Sequence, residues 1–189
     1  VTVETLPFTD VAQKAWYYNA VSYARGNGLF AGITPTTFGP NKTMTRAMLV
    51  QVLYSMSGLP TVTGKSPFSD VEEGKWYTSA VIWAAENGVA AGTGNGTFSP
   101  NKHVTREQTA TILYKYADLN GHSTTSYVSI SSYDDDQDVS NWAIHAMQWA
   151  VGNGLISGTD GNLLQPRGNA TRAQLAQIMM KFRYNIVYG

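Results

Sequence analysis

Residues 76–116 read WYTSAVIWAAENGVAAGTGNGTFSPNKHVTREQTATILYKY, and they spell out one complete structural unit. Trp76, Ala80, Trp83 and Ala84 fall at i, i+4, i+7 and i+8, the spacing that lines one face of an α-helix. Asn87-Gly88 ends that helix, because glycine most easily takes the left-handed conformation just past a helix C-terminus. A glycine-rich loop containing Gly92 follows and closes at Pro100. Thr105 is a good N-cap for a second helix, whose Thr109, Ile112, Leu113 and Tyr116 follow i, i+3, i+4, i+7.

Outward from this stretch the same signals recur on both sides. Asn27-Gly28, Asn87-Gly88 and Asn153-Gly154 are separated by 60 and 66 residues, and Thr45-Arg46, Thr105-Arg106 and Thr171-Arg172 keep the same two offsets. Trp16, Trp76 and Trp142 each stand 11 residues before the Asn, and Pro40, Pro100 and Pro166 each stand five before the Thr. The first-helix face reads Trp16, Ala20, Tyr23, Ala24 in the first copy and Trp142, Ala146, Trp149, Ala150 in the third. The second-helix face reads Leu49, Val52, Leu53, Met56 and Leu175, Ile178, Met179, Phe182. The six additional residues of the third copy fall around Gly121 to Ser132 and the acidic run Asp134 to Asp138, a longer connection. The expected fold is all-α, three tandem two-helix repeats over 1–60, 61–120 and 121–189. A two-helix unit of about 60 residues is marginal alone, so the copies are expected to share one helical core around a pseudo-threefold axis.

Composition narrows the function classes. The 189 residues are 43% hydrophobic, which fits a globular chain, and 13 basic against 13 acidic side chains give no net field for nucleic acid or a membrane surface. An acidic partner must be held by a few placed cations. The absence of cysteine excludes a disulfide framework and a cysteine-based zinc site. No apolar run approaches the ~20 residues of a membrane helix. Val1 to Leu6 lacks the pattern of a signal peptide and has no initiator Met, as expected for a fragment of a longer exported protein. Aromatic content of 12% suits sugar-binding surfaces, although packing is the commoner reason for it.

The order aromatic-x-Asp, Trp, Ala, Asn-Gly, Gly, Phe-x-Pro, Thr-Arg, repeated three times in register, resembles the S-layer homology family. The resemblance implies a spindle of three helical repeats within one chain, on extracellular proteins held at the cell wall of Gram-positive bacteria and relatives. It implies non-covalent binding of an acidic secondary cell-wall polysaccharide, often through a pyruvylated amino sugar, in grooves between repeats, with no catalysis and no cofactor. The family signature Thr-Arg-Ala-Glu is altered in every copy, to Thr45-Arg46-Ala47-Met48, Thr105-Arg106-Glu107-Gln108 and Thr171-Arg172-Ala173-Gln174. Thr followed three residues later by Glu or Gln is a capping box, which Gln108 and Gln174 can complete and Met48 cannot. If the family Glu is mainly a cap, binding survives its loss; if it touches sugar, the ligand differs.

Arg46, Arg106 and Arg172 stand in the first turn of a helix, where a cation opposes the macrodipole. One reading is an anion site made of helix-terminal N–H groups and a guanidinium fork that matches a carboxylate such as a pyruvyl ketal. The other is an internal salt bridge to Asp10, Asp70 or Asp135 that pins neighbouring repeats. The first reading, favoured by the resemblance, predicts that Ala at the arginines weakens binding and spares folding; the second predicts the reverse. Lys42 and Lys102 could add a second cation to two sites, or be solvated; the third copy carries Arg167 and Gly168 there. Trp16, Trp76 and Trp142 could offer a ring face or an indole N–H to a sugar, but are preferred as core anchors whose edges line the groove. Asp10, Asp70 and Asp135 read as caps or arginine partners. Gly32, Gly92 and Gly158 could admit a ligand close to the backbone, or meet a need for an unusual backbone angle.

The acidic run at 134–138 lacks the glycine and terminal Glu of an EF-hand loop, and His103, His122 and His145 have no ligand spacing, so no metal is expected. Adjacent Glu72 and Glu73 make a poor glycosidase pair. The alternative to a carbohydrate-binding anchor is a structural or protein-interaction module of the surface whose arginines are paired internally. The partner expected is cell-wall polysaccharide, with no membrane insertion, and the fragment itself is expected to be monomeric.

Overall fold

The computed structural model describes residues 6–189; the first five residues of the stretch read above for a signal peptide lie outside the described residues. Six α-helices carry the fold: α1 (Tyr18–Gly26), α2 (Arg46–Met56), α3 (Thr78–Glu86), α4 (Arg106–Leu119), α5 (Ile144–Gly152) and α6 (Arg172–Phe182). Two 3-10 turns, Asp136–Asp138 and Asn141–Ala143, lead into α5, and a π-helical turn, Arg183–Val187, follows α6. Among the described residues extended pairing is confined to isolated bridges, so the all-α reading holds. Among the described residues no helix is long and apolar enough to cross a membrane.

The second helices behave as their periodicity requires. Leu49, Val52, Leu53, Ile112, Leu113, Leu175, Ile178, Met179 and Phe182 are buried in one continuous core, and Thr109 is fully buried as well. Thr45, Thr105 and Thr171 cap these helices by accepting the N–H of Met48, Gln108 and Gln174. Gln108 and Gln174 return their side chains to the cap N–H and complete capping boxes, whereas at the first copy only the threonine half exists.

The first helices end as expected at Gly28, Gly88 and Gly154, whose φ values of 66°, 67° and 68° are left-handed. The preceding asparagine closes the helix end from the other side. Asn27, Asn87 and Asn153 donate from Nδ2 to the carbonyls of Tyr23, Trp83 and Trp149, in the last turn where carbonyls lack intrahelical partners. The start of these helices differs from expectation. α1 begins at Tyr18 and α3 at Thr78, two residues past the tryptophan, while Trp142 sits in a 3-10 turn.

Helices pack across repeats: α2 against α3, α4 against α5 and α6 against α1, so each second helix leans on the first helix of the next copy, and the third copy returns to the first. At the centre, three buried backbone groups form a closed circuit. Met44 N–H donates to the Ala170 carbonyl, Ala170 N–H to Val104 and Val104 N–H to Met44, at 3.1, 3.0 and 2.9 Å.

Because the circuit closes only when all three copies are present, removal of residues 121–189 should abolish cooperative unfolding rather than leave two stable repeats; a thermal melt followed by circular dichroism checks this. Leu113→Ala, which empties a fully buried site on α4, should destabilise the whole chain by about 2–5 kcal/mol in a single transition.

Candidate functional site

Each arginine of the Thr-Arg pair lies at the seam between two repeats. Arg46, Arg106 and Arg172 are 4%, 5% and 9% exposed, a degree of burial that demands partners for the guanidinium. Those partners are backbone carbonyls of the next repeat's loop. Arg46 donates from Nε to Phe98 (2.9 Å) and from Nη2 to Ala91 (2.8 Å). Arg106 bonds Leu164 (2.7 Å) and Ser157 (2.8 Å) in the same way, and Arg172 bonds Phe38 (2.8 Å) and Ala31 (2.6 Å). The Arg46 and Arg172 Cζ atoms also stand 4.6 and 4.5 Å from the centroids of Phe98 and Phe38; Leu164 replaces the ring at the Arg106 seam.

The carboxylates hold the other side of the same peptide units. Asp10 accepts from the N–H groups of Phe38 and Gly39, Asp70 from Phe98 and Ser99, and Asp135 from Leu164 and Gln165, at 2.7–2.8 Å. Phe38, Phe98 and Leu164 are therefore each clamped at N–H by their own repeat's aspartate and at C=O by the preceding repeat's arginine. Both the arginine–aspartate salt bridge and the helix-capping role expected of Asp10, Asp70 and Asp135 are thus corrected. The influence between the two groups is through space: burial pushes the pKa of Arg46, Arg106 and Arg172 down from the ordinary value, and the charges of Asp70, Asp135 and Asp10 respectively act against it.

The helix-terminal N–H groups expected to bind an anion are also engaged. Arg46, Arg106 and Arg172 donate their backbone N–H to Lys102, Gly168 and Lys42, and Ala47, Glu107 and Ala173 donate to Pro100, Pro166 and Pro40. With the third N–H taken by the threonine cap, the first turn of each second helix is saturated by protein. What remains of each guanidinium is Nη1, which has no partner among the described residues.

Two other readings change. Trp16, Trp76 and Trp142 are not core anchors but are 63%, 58% and 57% exposed, the first two edge-on against Tyr17 and Tyr77. They precede their helices, so the helical spacing that suggested burial does not apply to them. Gly32, Gly92 and Gly158 adopt no left-handed angle, and the closest neighbours of the missing Cβ are protein, not open space for a ligand. A Cβ at Gly92 would stand 2.6 Å from the Thr97 carbonyl and 2.8 Å from Phe68 Cε1; at Gly32 it would stand 2.6 Å from Phe8 Cε1 and at Gly158 2.8 Å from Tyr133 Cε1. The glycine recurs because the aromatic ring two residues before the aspartate stands where a Cβ would be.

Two grooves run along the seams. One, of about 490 Å³, is lined by Arg46, the loop at 89–93, Lys102, and Gln108 and Lys115 on α4, with Trp142 from the third repeat at its edge. The other, of about 360 Å³, carries the corresponding Arg106, the loop at 155–160, Gln174 and Lys181 on α6, and Trp16 from the first repeat. Lys42 is exposed and contributes its carbonyl to Arg172. Lys115 and Lys181 are groove residues that the sequence reading overlooked, although both stand nine residues after the arginine and the internal offset pairs them.

The S-layer homology domain model matches residues 7–47, 67–110 and 132–176, in register with all three copies. The chain belongs to the S-layer homology domain family. It is 29% identical to an S-layer protein sap of Bacillus anthracis over 92% of the chain, 29% identical to an amylopullulanase of Thermoanaerobacterium thermosulfurigenes over 91%, and 28% identical to exoglucanase XynX of Acetivibrio thermocellus over 95%. The matched region is 21%, 9% and 16% of those proteins' lengths, so this S-layer homology region spans at most about a fifth of each. Family and relatives indicate an extracellular, cell-surface location and support a cell-wall anchoring role for the S-layer homology repeats, with the enzymes among the relatives carrying them as an additional region.

Arg46→Ala should lower stability by about 3 kcal/mol, because two hydrogen bonds from a charged donor, each contributing about 1.5–3 kcal/mol, are lost and two carbonyls are left open. Arg46→Lys should recover less than half, since one ammonium cannot span both carbonyls as the planar fork does. Urea titrations of the two variants check this. Burial raises the Asp10 pKa, but the N–H groups of Phe38 and Gly39, its own N–H and Arg172 together hold it below the ordinary carboxylate value. The stability this contributes is present above the unfolded value of about 4 and is lost as pH falls through the lower folded value. Asp10→Asn should therefore flatten the loss of melting temperature below about pH 4.

Proposed function

We propose that the chain anchors a larger exported protein to the cell wall by holding an acidic, pyruvylated secondary polysaccharide non-covalently in the grooves at the repeat seams. The observation that carries this reading is the lining of the α4 groove, where three cations, Arg46, Lys102 and Lys115, stand with the Gln108 amide and the exposed Trp142 ring. A sugar offers an apolar ring face for an indole, hydroxyls for an amide, and, when pyruvylated, a carboxylate for the cations. The repetition of arginine, lysine, glutamine and tryptophan in the α6 groove supports the same chemistry at a second seam.

The reading of the repeats as a structural module with internally paired arginines has its own support in the six carbonyl bonds of Arg46, Arg106 and Arg172. The two readings meet if the arginine edge that faces the loop builds the seam and the ammonium and indole groups read the ligand. Lys42, Lys102 and the three tryptophans then belong to recognition, and Asp10, Asp70, Asp135, Gly32, Gly92 and Gly158 to the scaffold.

Sedimentation with deproteinised walls tests the proposal. The chain should pellet with walls that retain their secondary polymers and stay in solution with walls stripped of them; equal pelleting with both would contradict it. Lys115→Ala and Trp142→Ala, made at exposed positions, should each weaken pelleting by about tenfold, equivalent to about 1.4 kcal/mol, with unchanged melting temperature.

A further inference from the structure

The three seams are alike in backbone and unlike in side chains. In the α4 groove Arg46, Lys102 and Lys115 face a lining with no acidic side chain. In the α6 groove Gly168 stands at the position of Lys102, and Asp160, where the repeat offset places Gly94 in the second copy, joins the lining beside Arg106 and Lys181. At the corresponding positions along α2 the first copy has Met48 for Gln108 and Ser55 for Lys115. By charge alone an anion therefore favours the α4 groove.

A second observation, independent of charge, falls on the same groove. Glu107 is 4% exposed, and its carboxylate accepts from the Ser140 backbone N–H (2.9 Å) and the Ser140 hydroxyl (3.0 Å). Ser140 is the residue that opens the 3-10 turn Asn141–Ala143, which carries Trp142. The corresponding positions in the other copies are Ala47 and Ala173, so the turns carrying Trp76 and Trp16 have no such tie. A buried carboxylate is retained only where its acceptor capacity is used, and here it restrains the segment that brings an exposed indole to the groove edge.

We propose that the α4 groove is the principal anionic-glycan site of the three and that Glu107 is its positioning residue, holding the turn that presents Trp142. The inference rests on the function proposed above. Less of the indole's freedom has to be lost on binding when the segment is already held, which is the general advantage of preorganisation.

The test uses the full chain labelled with fluorotryptophan, so that Trp142, Trp16 and Trp76 report each seam separately by fluorine NMR. The probe is the methyl glycoside of a pyruvylated N-acetylated amino sugar, with its uncharged methyl ester as control. The Trp142 signal should reach half-saturation at a concentration at least about tenfold below that of Trp16 or Trp76, and the ester should move none of them. Glu107→Ala should raise the Trp142 midpoint by about tenfold and leave the Trp16 midpoint unchanged, and Glu107→Gln, which keeps one acceptor, should recover part of the loss. The Trp16 titration in the same sample guards against general loosening of the chain. Equal midpoints at the three tryptophans, or a lower one at Trp16 or Trp76, would overturn the ranking while sparing the function it rests on. No shift at any of them would overturn both. A Trp142 midpoint indifferent to Glu107→Ala, or one that moves together with Trp16, would remove the positioning role.

Discussion

The structure depends on how the first turn of each second helix is satisfied. A helix N-terminus leaves N–H groups without intrahelical partners, and in this chain the first two of each second helix are met from outside the repeat, by carbonyls at or near Pro40, Pro100 and Pro166 of the next copy. The arginine at the same turn spans two further carbonyls of that copy, and the aspartate of that copy accepts from the N–H groups on either side of one of them. A charge that opposes its own helix dipole is thereby turned into the link between repeats. Each seam needs a partner on both sides, so the arrangement ends only by returning to its start.

Much of this was legible from particular residues. The periodicity of Leu49, Leu53, Thr109, Leu113, Leu175 and Met179 located the core face because a helix must bury one stripe, and the Asn-Gly and Thr signals placed most helix ends. The capping difference between Met48 and the two glutamines was also readable, since it depends on residues three apart. What could not be read was any contact between residues far apart in the chain. Arg172 meets Phe38 across 134 residues of sequence, and nothing local distinguishes a carbonyl from a carboxylate as its partner. The tryptophans misled for a different reason: they continue the helical spacing of Ala20, Ala80 and Ala146 by one turn, but the α-helix has not yet begun there. The glycines of the loop were under-read, because a ring from 24 or 25 residues away against a missing Cβ has no signature in local propensity.

The grooves follow from the seams. The loop and second helix of one copy line each groove, the arginine of the preceding copy and the copy's own aspartate hold that loop down, and a tryptophan from the following copy joins the lining. A ligand lying there touches two or three repeats at once, so it binds the closed arrangement and not its parts, and occupancy must raise the stability of the whole chain. Positions outside the core vary between copies without any demand on the fold: Ser55 stands where the other two copies carry Lys115 and Lys181.

Native-state hydrogen exchange at the central circuit tests the seam account most directly. If the three seams form one cooperative ring, the amides of Met44, Val104 and Ala170 will exchange only through global unfolding, with the same opening free energy as the chain's denaturant-derived stability. An opening free energy at one of the three well below the global value, with the other two still protected, would show a seam that parts on its own and would contradict it.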